Sequence, residues 1–378
     1  MRITPIASPD TLYNEDPVLS DVAQALAAGG HETTEPVSTD TPGALLRGLR
    51  RLKPELVFNL SEQMGAGEDS TIGDAHVAAL LEAAGLTYSG NGPQALFAAG
   101  DKSTAKKILA FHSIRSPDFA TIYRGKVDWA HDLEFPLLVK AARQESSIGI
   151  STSSVVKNVK ELLERIEYIH ETFEQPALVE QYIEGREFYL GIVATGPEAR
   201  DLRTLPPIEL VFDGFPDELP KVASWEAKWE DEHPEYKGSR VRFPKDLPEE
   251  VAARVAEVAR AAFDALGCRD YGRVDLRVNE TGEIYVLEVN PNCYLAKESE
   301  FARAAKRDGI AYDDLILGLA RAAAARRIER IERRIRRRAH EVAAKVVGAK
   351  ETARKEPRPE KGERSKRKED PEEKKEAR

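Results

Sequence analysis

The sequence predicts an α/β protein, with an open amino-terminal α/β domain and an α+β body, and three observations carry that expectation. Strand-like and helix-like patterns alternate up to about residue 325. Close to the end of that region, a hairpin pattern carries an arginine, two carboxylates and an amide. Beyond it the composition turns abruptly to arginine, lysine and glutamate.

Taken in order, residues 3–7, 55–60 and 86–88 read as short buried strands, separated by alanine- and leucine-rich helical stretches at 22–28 and 75–84. A helix is expected at 102–111, then strands at 135–140, 177–182 and 187–194 around a helix at 159–173. The run 204–243 is rich in proline and holds Trp225 and Trp229, two of the three tryptophans. It is expected to be irregular, and a connection of that length is usually a lid or a binding loop.

Arg273-Val-Asp-Leu-Arg-Val and Ile284-Tyr-Val-Leu-Glu-Val alternate polar and apolar residues with period two, and Glu280-Thr-Gly-Glu between them supplies a turn. On such a hairpin Asp275 and Glu288 are expected to face each other across the strands, with Asn290 on the same face as Glu288. Hard divalent cations take oxygen ligands, and magnesium is usually held by one or two carboxylates together with substrate phosphates. On these residues alone a solvent-facing hairpin is an equal alternative, and the rest of the chain decides between the two.

Composition sets limits. A chain of 378 residues, 41% hydrophobic, can bury several cores. Its two cysteines, Cys268 and Cys293, argue against a disulfide framework and fit a reducing cytoplasm. No stretch approaches the roughly 20 apolar residues of a membrane span, and a net charge of -9 argues against a general nucleic-acid role. Beyond residue 325, Ile328, Ile331, Ile335, Val342 and Val346 fall at helical spacings among arginines, a face for seating on the body or pairing with another copy. Residues 350–378 are almost wholly charged and polar, and are expected to be a disordered, solubilising tail with no identified partner.

Several short segments then stand in one order: Val57-Phe-Asn-Leu, Gly67-Glu-Asp-Ser-Thr-Ile, Tyr88-Ser-Gly-Asn, Asp101-Lys102, Val139-Lys140, Ala142-Arg-Gln-Glu-Ser-Ser-Ile-Gly-Ile, Glu226-Ala-Lys-Trp, Gly272-Arg-Val-Asp-Leu and Glu288-Val-Asn. Together, from about residue 55 to about residue 320, they resemble the ATP-grasp enzymes of the D-alanine–D-alanine ligase type. The resemblance implies an ATP-grasp fold behind a pre-ATP-grasp domain. It places an amino-terminal substrate domain at 1–98, a central subdomain at 99–184, a carboxy-terminal subdomain with lid and metal site at 185–325, and the arginine-rich helix and tail at 326–378. It also implies the reaction, in which ATP converts a carboxylate to an acyl phosphate that an amine captures, giving an amide, ADP and phosphate. Amino acids would be the substrates, and a homodimer joined through the amino-terminal domain is expected.

The resemblance also implies roles. Lys102 and Lys140 would contact nucleotide phosphates, and Ser146 and Ser147, beside Gly149, would form a flap over the γ-phosphate. Glu180, Gln181 and Ile183 would line the adenine, and Glu187 would bind the ribose. Lys228 would close over the phosphates on a mobile loop, and Arg273 would face the transferring phosphoryl group, so that Arg273, Lys228 and Ser147 are the catalytic candidates. Asp275, Glu288 and Asn290 would hold two magnesium ions, with manganese able to substitute: one ion bridged by Asp275 and Glu288, the other by Glu288 and Asn290. Glu15 would take the first substrate's amine, and Ser299 the second substrate's carboxylate.

Departures from the family pattern gather in the amino-acid half. There Ser61-Glu62 stands for a histidine-glycine pair and Tyr294 for a glycine of the oxyanion hole, while Glu300 adds a charge; elsewhere, Gln144-Glu145 stands for Glu-Gly in the phosphate flap and Trp229 for a tyrosine beside Lys228 on the lid. Phosphoryl transfer is therefore expected intact, with D-alanine the leading substrate. A ligase of a specialised pathway joining a different amino acid is the alternative, and Ser61, Tyr294 and Glu300 favour it. A non-catalytic nucleotide sensor acting through its tail is a second alternative, against which the complete set of lysines, arginine and metal ligands argues.

Overall fold

The computed structural model describes residues 1–65, 73–130, 132–195, 201–216 and 218–355, so the 67–72 motif and the tail after Lys355 lie outside the described residues. Met1–Arg327 forms one compact unit, and the residues from Ile328 onward a second.

In the first unit, strand β1 (Arg2–Ala7) is the hub of a parallel sheet and pairs with β2 (Glu32–Thr33), β3 (Val37–Ser38) and β4 (Leu56–Asn59). Parallel strands covered on both faces read as continuous apolar runs, and β4 is buried along its whole length. The covering helices are α1 (Pro9–Tyr13), α2 (Pro17–Ala28), α3 (Pro42–Leu52), α4 (Gly73–Ala83) and α5 (Pro93–Gly100). The side chains of Asp16 and Thr41 cap α2 and α3, each followed by proline at the first helical position. Residues 86–88 differ from expectation, since only Tyr88 bridges to Val57. Gly85 and Gly90, both at positive φ, close off the run before a ladder can grow.

Helix α6 (Lys102–Phe111), capped by Asp101, leads to an antiparallel sheet of β5 (Phe119–Tyr123), β6 (Lys126–Ala130), β7 (Leu137–Ala141), β8 (Val155–Val156) and β9 (Ala177–Gln181), ordered β6-β5-β9-β7-β8. Helix α7 (Val159–Phe173), capped by Asn158, packs on it through Ile166 and Ile169.

The third sheet contains β10 (Arg186–Thr195), β11 (Asp201–Thr204), β12 (Ile208–Val211), β13 (Arg240–Arg242), β14 (Tyr271–Val278) and β15 (Ile284–Asn290). Its main path runs β13-β12-β10-β14-β15, with β11 on β10. Period-two alternation divides its residues between two cores: Phe188, Leu190, Val274 and Leu276 pack on one side, Tyr189 and Val193 on the other. Within 204–243, expected to be irregular, the chain forms β12, α8 (Trp225–Trp229), α9 (Pro234–Gly238) and β13. These elements are too short to be read from periodicity, and contacts fix them: Ser224 caps α8 and donates to Glu235 in α9 at 2.5 Å.

Helix α10 (Glu249–Ala265) covers the sheet with Val255, Ala259, Ala262 and Phe263, and α11 (Glu300–Arg307) lies against the other core through Phe301 and Ala305. Helix α12 (Tyr312–Lys355) contributes Leu315, Ile316 and Leu319 to that core. In the second unit Ile328, Ile331 and Ile335 are exposed, and the side chains of Val342 and Val346 lie outside the described residues. Residues 350–355, expected to belong to a disordered tail, are helical, because the good helix formers Ala, Lys, Glu and Arg carry α12 to Lys355. Among the described residues no helix is long and apolar enough to cross a membrane.

Candidate active site

The β14–β15 hairpin brings the predicted metal ligands together. Asp275 pairs with Glu288 and Arg273 with Asn290, and a register shift follows between Asp275 and Leu276. Such bulges re-aim side chains beside functional sites. The Asn290 amide donates to Glu288 Oε1 at 3.2 Å and lies 3.4 Å from Asp275 Oδ2. Arg273 forks onto Asp275 through Nε at 2.7 Å and Nη2 at 2.8 Å, with Tyr189 beneath its guanidinium.

Burial pushes Asp275 up to about 6 although the Arg273 charge pulls it down, and Glu288 adds to the rise. Burial acts on Glu288 in the same sense, but Lys102, Lys140, Lys228 and Arg273 together hold it well below the usual carboxylate range. A carboxylate kept ionised beside four cations is suited to a divalent metal. Two carboxylates and an amide fit magnesium, which rarely occupies an all-protein cage; among the described residues no group of three His, Cys, Asp or Glu side chains forms one.

One cavity joins this cluster to the nucleotide-half candidates, lined by Lys102, Lys140, Ser147, Glu180, Gln181, Ile183, Glu187, Lys228, Asp275 and Glu288 among others. Lys102, at the start of α6, lies 3.5 Å from Glu288 and donates to the carbonyl of Gln144 at 2.5 Å. Lys140 Nζ is 2.6 Å from Glu180 Oε1. The strand end at Gln181 and the residues after it run along the wall, and Glu187 opens β10.

Two basic residues of this half escaped the sequence reading. Lys106, 1% exposed, reaches Glu180 Oε2 at 2.8 Å, so Glu180 lies between two lysines and its carboxylate is already engaged. Its signal was the four-residue spacing from Lys102, which puts both on one face of α6. Arg277 pairs with Glu187, and its signal was the alternation Arg273, Asp275, Arg277 along β14.

The segments expected to form flap and lid are joined. Ser146, Ser147 and Gly149 all have positive φ, the left-handed region that ordinary residues seldom enter. Ser147 Oγ donates to the Ala223 carbonyl at 2.6 Å, and the backbone N–H of Trp225 donates to the Ile150 carbonyl at 2.9 Å. The indole N–H of Trp229 donates to the Ser146 carbonyl at 3.0 Å. Trp229 thus supplies a polar link to the flap although it has no hydroxyl.

The amino-acid half is arranged less closely along the expected lines. Glu15 is exposed, at φ 50°, and lines neither cavity beside the metal cluster. Its neighbour Asp16 does: it accepts from the Tyr294 hydroxyl at 2.6 Å, and both line a second cavity with Glu62, Tyr271, Asn292 and Cys293. Ser299 Oγ caps α11, accepting from Ala302 N at 3.2 Å, and Glu300 stands 4.0 Å from Arg273. Ser61 is fully buried, bonded to Thr39 at 2.8 Å and to the Gln63 carbonyl at 2.7 Å, so it braces the loop while Glu62 faces the cavity. A wider opening is lined by Asp10, Glu62, Asp74, Glu145 and Ser146, with Arg143 tied to Asp101 at 2.9 Å. Burial, then Glu145, pushes Asp74 up to about 8, against the N–H of Ala75; Glu62 adds to the rise.

Comparison with known proteins places this geometry. A family model described as D-ala D-ala ligase C-terminus matches residues 107–321. An uncharacterized protein, y4sG, from Sinorhizobium fredii is 31% identical over 327 residues, covering 83% of this chain and 90% of that protein. The D-alanine–D-alanine ligase of Syntrophotalea carbinolica is 33% identical over 298 residues, covering 78% of this chain and 86% of that enzyme. The crystal structure of D-alanine–D-alanine ligase from Bacillus anthracis complexed with ATP superposes with a TM-score of 0.66 at 23% identity, covering 87% of this chain and 99% of that one. The shared fold, the family match across most of the two antiparallel sheets, and relatives aligned over most of their length agree: the chain belongs to the D-alanine–D-alanine ligase family and is an ATP-dependent ligase with the ATP-grasp fold.

Proposed function

We propose that the protein joins two amino acids through an acyl phosphate, with D-alanine the leading substrate at both positions. The observation that carries this reading is one cavity in which Lys102, Lys140, Lys228, Asp275 and Glu288 converge, with Arg273 forked onto Asp275. A substrate carboxylate oxygen attacks the γ-phosphorus of ATP, the bond from that phosphorus to the bridging oxygen breaks, and ADP leaves. The amine nitrogen of the second substrate then attacks the acyl carbon, loses a proton, and phosphate departs with the electron pair of the carbon–oxygen bond.

Fixed positive charge is used where negative charge develops. Lys102 and Lys140 would hold the nucleotide phosphates and Arg273 the transferring group, while Lys228 and Ser147 close the cavity against water that would hydrolyse the acyl phosphate. Asp275, Glu288 and Asn290 would hold magnesium, which supplies charge neutralisation across the phosphates when bound. Gln181 and Ile183 would meet the base through their backbone, and Glu187 the ribose. Glu180 supports Lys140 in this arrangement. The same reading divides the first unit at residues 98 and 184, and includes a cytoplasmic homodimer.

On the amino-acid side we assign the first substrate's ammonium group to Asp16 and Glu62 in place of Glu15, beside Tyr294. A second reading, a ligase of a specialised pathway, is favoured by one observation: acids Asp10, Asp16, Glu62, Asp74 and Glu145 line the substrate side beside Arg143, and among the described residues the cavity at Asp16 has no basic lining residue. That lining suits an amino acid or amine with more than one positive charge. The test is ADP release with Mg-ATP and D-alanine, then with D- and L-amino acids singly and in pairs, with mass spectrometry of products. A D-alanyl-D-alanine mass supports the first reading, turnover only with another pair supports the second, and nucleotide binding without turnover would overturn both.

A further inference from the structure

Arg277 has no part in the chemistry above, yet it is 5% exposed and its guanidinium reaches three separate segments of the nucleotide cavity. It stands on β14 directly across from Glu187 on β10. Nε and Nη2 both approach Glu187 Oε2, at 2.9 and 2.8 Å. Nη1 donates to the carbonyl of Ile183 at 2.7 Å, and Nη2 donates to the carbonyl of Lys221, before the lid helix α8, at 2.5 Å. Tyr182 repeats the last link: its hydroxyl donates to the same Lys221 carbonyl at 3.1 Å, and its ring centroid lies 5.5 Å from the guanidinium carbon.

A planar fork with five donors serves these acceptors at once, which a lysine's point charge on a flexible stem does not. The Tyr189 hydroxyl donates to Glu187 Oε1 at 3.1 Å, so both oxygens of that carboxylate are oriented before any ligand arrives. Without Arg277 Glu187 Oε2 and the Ile183 carbonyl lose this donor, and Glu187 Oε1 and the Lys221 carbonyl keep the hydroxyls of Tyr189 and Tyr182, which do not tie the segments to one another.

We propose that Arg277 is the positioning residue of the nucleotide half, holding Glu187 and the backbone at Ile183 at a fixed separation and tying both to the base of the lid at Lys221. This rests on the nucleotide reading given above. It deepens that reading, because the sugar acid, the base-lining backbone and the lid become one unit through a single side chain. Loss of Arg277 therefore weakens nucleotide binding while the metal cluster and the acid-lined cavities are left in place.

The test needs no knowledge of the amino-acid substrate. Mg-ADP is titrated calorimetrically into the full-length protein, its R277M and R277K variants, and an R186M control, which breaks an ion pair of the same sheet with Glu209 and Asp246. The expected result is about tenfold or greater weakening for R277M, partial recovery in R277K, and a lowered Tm but unchanged ADP affinity for R186M. Should R277M not fold, the R277K comparison decides. ADP affinity within about twofold of wild type in R277K and in any folded R277M would overturn the proposal, as would an equal loss in R186M. Wild-type protein that binds no Mg-ADP would overturn the nucleotide reading and this inference with it.

Discussion

The nucleotide half of the site holds its acids against bases, and the neighbouring cavity at Asp16 does not. Glu180 lies between Lys140 and Lys106, Glu187 against Arg277, and Asp275 in the fork of Arg273. In that cavity, among the described residues, Asp16 and Glu62 have no basic lining neighbour. Paired charges can be buried, oriented and ready before ATP arrives, whereas unpaired carboxylates around a cavity are matched by a cation brought with the substrate. In the proposed reading the difference separates phosphoryl transfer, which the family shares, from recognition of the amino acid, where this chain departs from the family pattern.

The largest effect is expected where the halves meet. Arg273→Ala removes the fixed charge that the proposed reading sets against the transferring group and should lower kcat by about 10²–10³-fold while the fold persists; steady-state ADP release measures it, and a change under threefold would remove Arg273 from the chemistry. Glu62→Gln should raise the amino-acid KM by about tenfold and leave the KM for ATP unchanged. A rise in the ATP value instead would erase the boundary between the halves.

Stability against pH sharpens the same contrast. With Asp74 at about 8 in the folded state, well above its unfolded value, the folded protein binds more protons than the unfolded chain between those two values. Its contribution to stability therefore falls as pH rises from about 4 to about 8. Thermal denaturation at pH 5 and pH 8.5 should show this loss, and Asp74→Asn should flatten it. An unchanged slope in that variant would assign the dependence to other groups. The smallest effect is expected from deleting residues 350–378, which should leave turnover unchanged, because a segment far in sequence from every assigned residue adds nothing to a preorganised site. A clear drop in kcat would give the tail a role.

What could be read in the sequence follows the same division. The hairpin was legible because its alternation fixes which residues share a face, and Asp275 does lie across from Glu288. Helices α6 and α7 were legible because periodicity and the caps Asp101 and Asn158 agree. Lys106 and Arg277 were visible only as spacings, since a lone base reads as solvent-exposed until a buried acid is seen against it. Ser61 and Ser299 show the reverse: the family resemblance sets both at the substrate site, but their hydroxyls serve a buried loop and a helix cap. The lid hid its short helices because Ser224, Glu235 and Trp229 fix them through contacts distant in sequence.

The most direct test of the acyl-phosphate chemistry uses D-alanine, or whichever amino acid supports turnover, labelled with ¹⁸O in its carboxylate. Phosphate released during amide formation is analysed by mass spectrometry. Transfer of one labelled oxygen to each phosphate is the predicted result, because the carboxylate oxygen that attacks the γ-phosphorus leaves with it. Amide formation with unlabelled phosphate would contradict the account, since the carboxylate would then have been activated by another route.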